Sequence, residues 1–175
     1  NNTVATLVVA DYIGGIAGTI RGVNGSNPSE ITDCWTNIDT RRGQYVGGIV
    51  GRFRGQCSSY SQALYEDSAP KQYLKDCQFD GKILLAAGVN YAGGLTSELF
   101  GNGVFNIENC RMTGTITGTT ATEVGGLYAY DQSSMQINLK DCLVTGVLNV
   151  PQASKLGYLM AGIKSYTKVN ISNTY

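Results

Sequence analysis

Tyr45-Val46-Gly47-Gly48-Ile49 decides how this chain folds, because it recurs. The same pattern stands at Tyr12-Ile13-Gly14-Gly15-Ile16, Tyr91-Ala92-Gly93-Gly94-Leu95 and Glu123-Val124-Gly125-Gly126-Leu127. A degenerate copy follows at Lys155-Leu156-Gly157-Tyr158-Leu159. The first glycines lie 33, 46, 32 and 32 residues apart. A second motif runs in phase with the first: Ile31-Thr32-Asp33-Cys34, Leu74-Lys75-Asp76-Cys77, Ile107-Glu108-Asn109-Cys110, Leu139-Lys140-Asp141-Cys142 and Ile171-Ser172-Asn173-Thr174. In the last three copies it begins 14 residues after the first glycine, and Gly81, Gly114 and Gly146 each stand four residues past a cysteine. Five matches to a two-part template, in register, are the mark of a repeat architecture.

Between these punctuation points the segments are short and rich in β-formers, as in Gln136-Ile137-Asn138-Leu139. Long helical periodicity is missing. Short strands, a period near 32 residues and glycine at fixed places predict an all-β fold, a parallel β-helix of about five rungs. The right hand is expected, as for parallel crossovers in general. About three strands per rung are expected. A β-sandwich is the competing architecture, but it gives no reason for strict register. The chain reads as one domain over residues 1–175, with an insertion at 52–73 in the second repeat.

The aliphatic residue three before each cysteine should face the core, as should the cysteine and the residue two after it (Thr36, Phe79, Met112, Val144). Alternation then sends Trp35, Gln78, Arg111 and Leu143 outward. A step of three between inward residues needs a corner, which falls on Asp33, Asp76, Asn109, Asp141 and Asn173. Asn and Asp suit it because they tolerate the left-handed region and bond nearby backbone. Their alignment predicts a structural ladder; a calcium site at Asp33 and Asp76 is disfavoured, because the ligand count is low and Lys75 adjoins. Cys34, Cys77, Cys110 and Cys142 share one slot, read as a column of buried free thiols. Thr174 in the fifth copy fits that reading, since it cannot cross-link. Cys57 stands outside the pattern.

Composition excludes several functions. Apolar residues make up 42% of 175, enough for a core. Thirteen basic and 13 acidic residues cancel, and no basic run exceeds Arg41-Arg42, which argues against nucleic acid. Histidine is absent, so Ser/His and Cys/His catalysis and histidine zinc sites are excluded. No CxxC occurs, and neither metal nor cofactor is expected. No apolar stretch reaches the roughly 18 residues of a membrane span. The chain opens at Asn1-Asn2-Thr3 without a signal peptide, which reads as a mature piece or an excised fragment of a larger protein. Neighbouring domains or caps are expected at both ends, because bare end strands invite edge pairing.

Two places carry candidate ligand-binding residues. The insertion brings Arg52, Arg54, Tyr60, Tyr65, Glu66, Asp67 and Tyr73, a mix of tyrosine and charge of the kind binding loops use. Tyr12, Tyr45 and Tyr91, aligned on one face, form an aromatic row suited to sugar rings or to packing across rungs; packing is the stronger reading. The row changes to Glu123 and Lys155, so it should end mid-solenoid. No carboxylate pair is set out as a hydrolase needs: Glu66 and Asp67 are adjacent and would point apart. A polysaccharide-active enzyme is therefore the weaker class.

Tyr45-Val46-Gly47-Gly48-Ile49-Val50-Gly51 and its copies, each followed by an Asx-Cys segment and a Gly-x-aliphatic strand, resemble the GLUG-motif repeats. Those occur in large bacterial surface and secreted proteins, including some immunoglobulin-A-cleaving metallopeptidases. The resemblance runs from about Asp11 to Tyr175. It implies a secreted or cell-surface, non-catalytic structural or adhesive segment. The implied partners are an extracellular glycan or host protein and the flanking domains of the parent chain. A spacer within a large secreted peptidase is the alternative it implies. This chain departs from the short form: its second copy is about 13 residues longer, and Gly157-Tyr158 has lost the second glycine.

Overall fold

A computed structural model describes residues 10–21, 28–37, 39–40, 43–55, 71–132, 136–164 and 167–175. The first rung runs through β1 (Tyr12–Gly14), β2 (Ala17–Arg21), β3 (Ser29–Thr32), β4 (Trp35–Thr36) and β5 (Asp39–Thr40). The second repeats it as β6 (Tyr45–Gly47), β7 (Val50–Arg54), β8 (Lys71–Lys75), β9 (Gln78–Phe79) and β10 (Lys82–Leu85). The third is β11 (Tyr91–Gly93), β12 (Thr96–Phe100), β13 (Val104–Glu108), β14 (Arg111–Met112) and β15 (Thr115–Gly118). The fourth is β16 (Thr120–Gly125), β17 (Tyr128–Asp131), β18 (Gln136–Lys140), β19 (Leu143–Val144) and β20 (Val147–Asn149). The fifth holds β21 (Gln152–Gly157) and β22 (Lys168–Ser172), with Met160 bridging to Tyr128 between them.

Each strand pairs in parallel with its equivalents one rung away, giving five sheets along the solenoid. The described residues therefore form a β-solenoid of four full rungs and part of a fifth, without helix. Each full rung has five strands rather than three. The glycine pair and the Asx corner each break what the sequence reads as one run into two strands.

The sequence register is the structural register. Tyr12, Tyr45, Tyr91, Glu123 and Lys155 align, as do Ile31, Leu74, Ile107, Leu139 and Ile171. Leu74, Ile107 and Leu139 are buried, beside Phe79 and Met112 from the next strand. Each such aliphatic side chain contributes roughly 1.5–3 kcal/mol by leaving water. Trp35 and Arg111 point outward as alternation requires. Ile171 departs from expectation: it is 48% exposed, because no described rung lies beyond it to close the core.

The Asx corner is where the backbone turns left-handed. Asp33, Asp76, Asn109, Asp141 and Asn173 have φ between 46° and 54° and are all the non-glycine residues with positive φ among those described. That conformation costs most L-residues about 1 kcal/mol, and Asn and Asp least. Side chains bond along the corner: Asn109 Nδ2 donates to Asp76 Oδ1, and Asn173 Nδ2 donates to Asp141 Oδ1 at 3.1 Å.

Glycine at the paired positions is a matter of space. A Cβ on Gly47 would overlap the Val50 carbonyl oxygen, and one on Gly48 would overlap the Gly94 carbonyl oxygen and the Phe79 ring. The chain kinks so tightly there that the strands on either side pack on one another. The residue two before the pair and the residue seven positions after it are thereby brought onto one edge of the solenoid.

Candidate functional site: a strip of tyrosine, arginine and glutamate

Two columns meet along that edge. One carries Tyr12, Tyr45, Tyr91, Glu123 and Lys155; the other carries Thr19, Arg52, Glu98 and Tyr130. Tyr12, Tyr45 and Tyr91 stack, with ring centroids 4.7 and 4.9 Å apart. The row does not end at Glu123. Tyr130 crosses from the second column and stacks on Tyr91 at 4.8 Å, making a run of four rings. Residues 91 and 98 are Tyr and Glu; their equivalents 123 and 130 are Glu and Tyr. That exchange seven residues apart was the sequence signal for the fourth ring.

Arg52 is the hub of the strip. Its Nε lies 2.5 Å from Glu98 Oε2, and its guanidinium sits 4.0 Å from the Tyr12 ring centroid and 4.5 Å from that of Phe100. Glu98 is 0% exposed, and its Oε1 has no hydrogen-bond partner among the described residues. Burial raises the Glu98 pKa against the lowering effect of Arg52 and Arg54. One rung on, buried Glu123 accepts a bond from Lys155 Nζ at 2.6 Å through Oε1, while its Oε2 has no partner among the described residues. Burial likewise lifts the phenols: Tyr12 and Tyr91 are raised, and Tyr45 is pushed up to about 12. They are neutral hydrogen-bonding groups at physiological pH.

This arrangement limits what the tyrosine row can bind. Tyr45 lies between Tyr12 and Tyr91, and Tyr91 between Tyr45 and Tyr130, so the inner rings spend both faces on each other. Cations lie beside the row: Arg52 4.0 Å from the Tyr12 centroid and 5.7 Å from that of Tyr45, and Lys164 Nζ 5.8 Å from the Tyr130 centroid. A sugar ring has no inner face to stack on; what the strip offers is ring edges, hydroxyls and charge.

The described residues of the predicted insertion, Arg52, Arg54 and Tyr73, are not gathered into one site. Arg52 and Arg54 belong to β7 and Tyr73 to β8, so they are part of the regular rung. Arg54 lies 5.2 Å from the Phe100 ring, beside the strip. Tyr73 is on another sheet, with Lys75 Nζ 4.2 Å over its ring. Tyr60, Tyr65, Glu66, Asp67 and Cys57 lie outside the described residues.

Two further columns are ladders. Cys34, Cys77, Cys110 and Cys142 are free. Each thiol donates to the carbonyl two residues back, at 3.0–3.3 Å. The last three also reach a carbonyl one rung below, at 3.3–3.7 Å. Thr174 repeats the pattern, its hydroxyl donating to the Ser172 carbonyl at 2.9 Å. The second ladder is asparagine: Asn106 donates to the Gln72 carbonyl, Asn138 to Asn106 and Asn170 to Asn138, at 3.2, 2.7 and 2.8 Å. Sequence reading missed it, although Asn106, Asn138 and Asn170 recur every 32 residues. Among the described residues, no group of three or more Cys, Asp or Glu is placed to hold a metal ion.

Comparison with protein families, curated proteins and solved structures finds no match for this chain.

Proposed function

We propose that this chain is a non-catalytic structural segment of a secreted or surface-exposed bacterial protein, whose flanks are available to a host glycan or protein. One observation carries the reading. The repeated polar positions are spent on their own counterparts in the next rung: tyrosine on tyrosine, Asn109 on Asp76, Asn138 on Asn106, and each buried thiol on backbone one rung below. Side chains committed in this way serve stacking and extension, in which each repeat is stabilised by its neighbours. They are not held ready for a substrate. The likeness of the sequence to GLUG-motif repeats supports the same setting.

The test is a glycan and host-protein array screened with the purified chain, beside a version in which residues 55–71 are replaced by a short Gly/Ser linker. A panel of polysaccharides and peptides is incubated with the parent in parallel. Binding lost in the shortened version assigns adhesion to that segment. Binding retained by both assigns it to the regular face. Cleavage products released by the parent overturn the non-catalytic reading.

A further inference from the structure

We propose that the tyrosine stack is a site of oxidative cross-linking, at which a one-electron oxidant joins neighbouring rungs through dityrosine bonds. The inference is independent of the adhesive reading. Tyr12, Tyr45, Tyr91 and Tyr130 come from four successive rungs, and their ring centroids are 4.7, 4.9 and 4.8 Å apart with interplanar angles of 23°, 11° and 28°. All four are half-buried, so each remains partly open to solvent. A radical formed on any of them has its coupling partner already in contact. Coupling with a second molecule needs a diffusional encounter, which is far slower at equal reactivity.

The chemistry balances with hydrogen peroxide and a haem peroxidase as the oxidising system. Two neighbouring phenols each give up one electron and one proton and become phenoxyl radicals. Their unpaired electrons reside partly on the ring carbons ortho to oxygen. One carbon–carbon bond forms between two such carbons, and the two ortho hydrogens move to the oxygens to restore both phenols. The pair loses two hydrogen atoms in all; one peroxide takes up the two electrons and two protons and leaves as two waters. Coupling asks the two rings to swing about their Cα–Cβ and Cβ–Cγ bonds until the ortho carbons touch. The links would join residues 33, 46 and 39 positions apart in the chain. They would staple rung to rung in a protein whose described cysteines form no disulfide.

The experiment treats the folded chain with peroxidase and limiting hydrogen peroxide, then maps linked peptides by mass spectrometry. The expected product keeps the monomer mass less two hydrogens per link, joins Tyr12–Tyr45, Tyr45–Tyr91 or Tyr91–Tyr130, and unfolds at higher urea. The same treatment in urea should lose those pairings, and Tyr45→Phe should remove the first two while sparing Tyr91–Tyr130. Tyr158 and Tyr175, 60% and 77% exposed, are internal competitors outside the stack. Links that favour them, links only between molecules, or no link at all would each overturn the proposal.

Discussion

Tyr130 stacks on Tyr91 at 4.8 Å, although the residue in register with Tyr91 is Glu123. The ring reaches the row from the neighbouring strand because the glycine pair folds the two strands onto one edge. Tyr130→Leu should lower stability by about 1 kcal/mol, the usual worth of an aromatic pair beyond its buried area. Tyr130→Phe keeps the ring and should stay close to the parent. Urea unfolding of the three proteins checks the order; equal midpoints for Leu and Phe would mean the stack contributes nothing specific.

The columns were legible because each is set by one repeating position. The aliphatic–Asx–Cys spacing placed Leu74, Asp76 and Cys77 in their inward, corner and thiol roles, and the structure has them there. The number of strands was not legible: Trp35–Thr36 and Gln78–Phe79 are two-residue strands, too short for alternation to set them apart from their neighbours. The edges of the insertion were misjudged for a related reason. Charged Arg52 and Arg54 read as loop, yet they flank buried Phe53 and alternate outward from a regular strand. The fourth ring was missed because alignment by column hides a side chain that changes columns.

Arg52 and Glu98 form a nearly buried pair, and removing one partner leaves the other charge stranded. Arg52→Leu should cost roughly 3 kcal/mol. The double variant Arg52→Leu/Glu98→Leu should recover part of that loss, since two apolar groups need no ion partner. A double variant no more stable than Arg52→Leu, measured by urea unfolding, would contradict the argument.

The same pair has a pH signature. Burial holds the folded-state pKa of Glu98 above its ordinary value, so between the two values the folded protein keeps a proton that the unfolded chain releases. Its contribution to stability is fully present below the ordinary glutamate range and is lost as pH rises through the folded value. Glu98→Gln removes this dependence. The parent should therefore gain stability relative to Glu98→Gln as pH falls from 7 toward about 4.3. A difference that is flat, or that moves the other way, would show that Arg52 outweighs burial.

Asn109 has φ of 49° and donates to Asp76 from the corner. Asn109→Gly loses the side-chain bond but relaxes into the left-handed backbone, and should cost about 1 kcal/mol. Asn109→Ala loses the bond and strains the backbone as well, and should cost about 1 kcal/mol more than glycine does. In most strands alanine is the milder substitution, so this inversion of order is the readout. Thermal unfolding with alanine above glycine would place the corner's stability elsewhere.

The thiol column should be chemically silent except at one end. Cys77, Cys110 and Cys142 are buried, whereas Cys34 is partly exposed. Hydrogen bonds with the Cys142 and Cys77 thiols, together with burial, push the Cys110 thiol up, and burial first of all raises Cys34; the bond with Cys110 lowers Cys77 and Cys142, so it is lack of access that silences those two. Reaction with a thiol reagent needs both access and thiolate. In a Cys57→Ser background, native protein should take up label at Cys34 slowly and none at the other three, while urea-unfolded protein takes up all four. Peptide mapping after labelling reads this directly. Native labelling of Cys110 at the rate seen for Cys34 would mean that the rungs part readily at the centre of the solenoid, where a five-stranded sheet before the thiol and a four-stranded sheet after it should hold them closed.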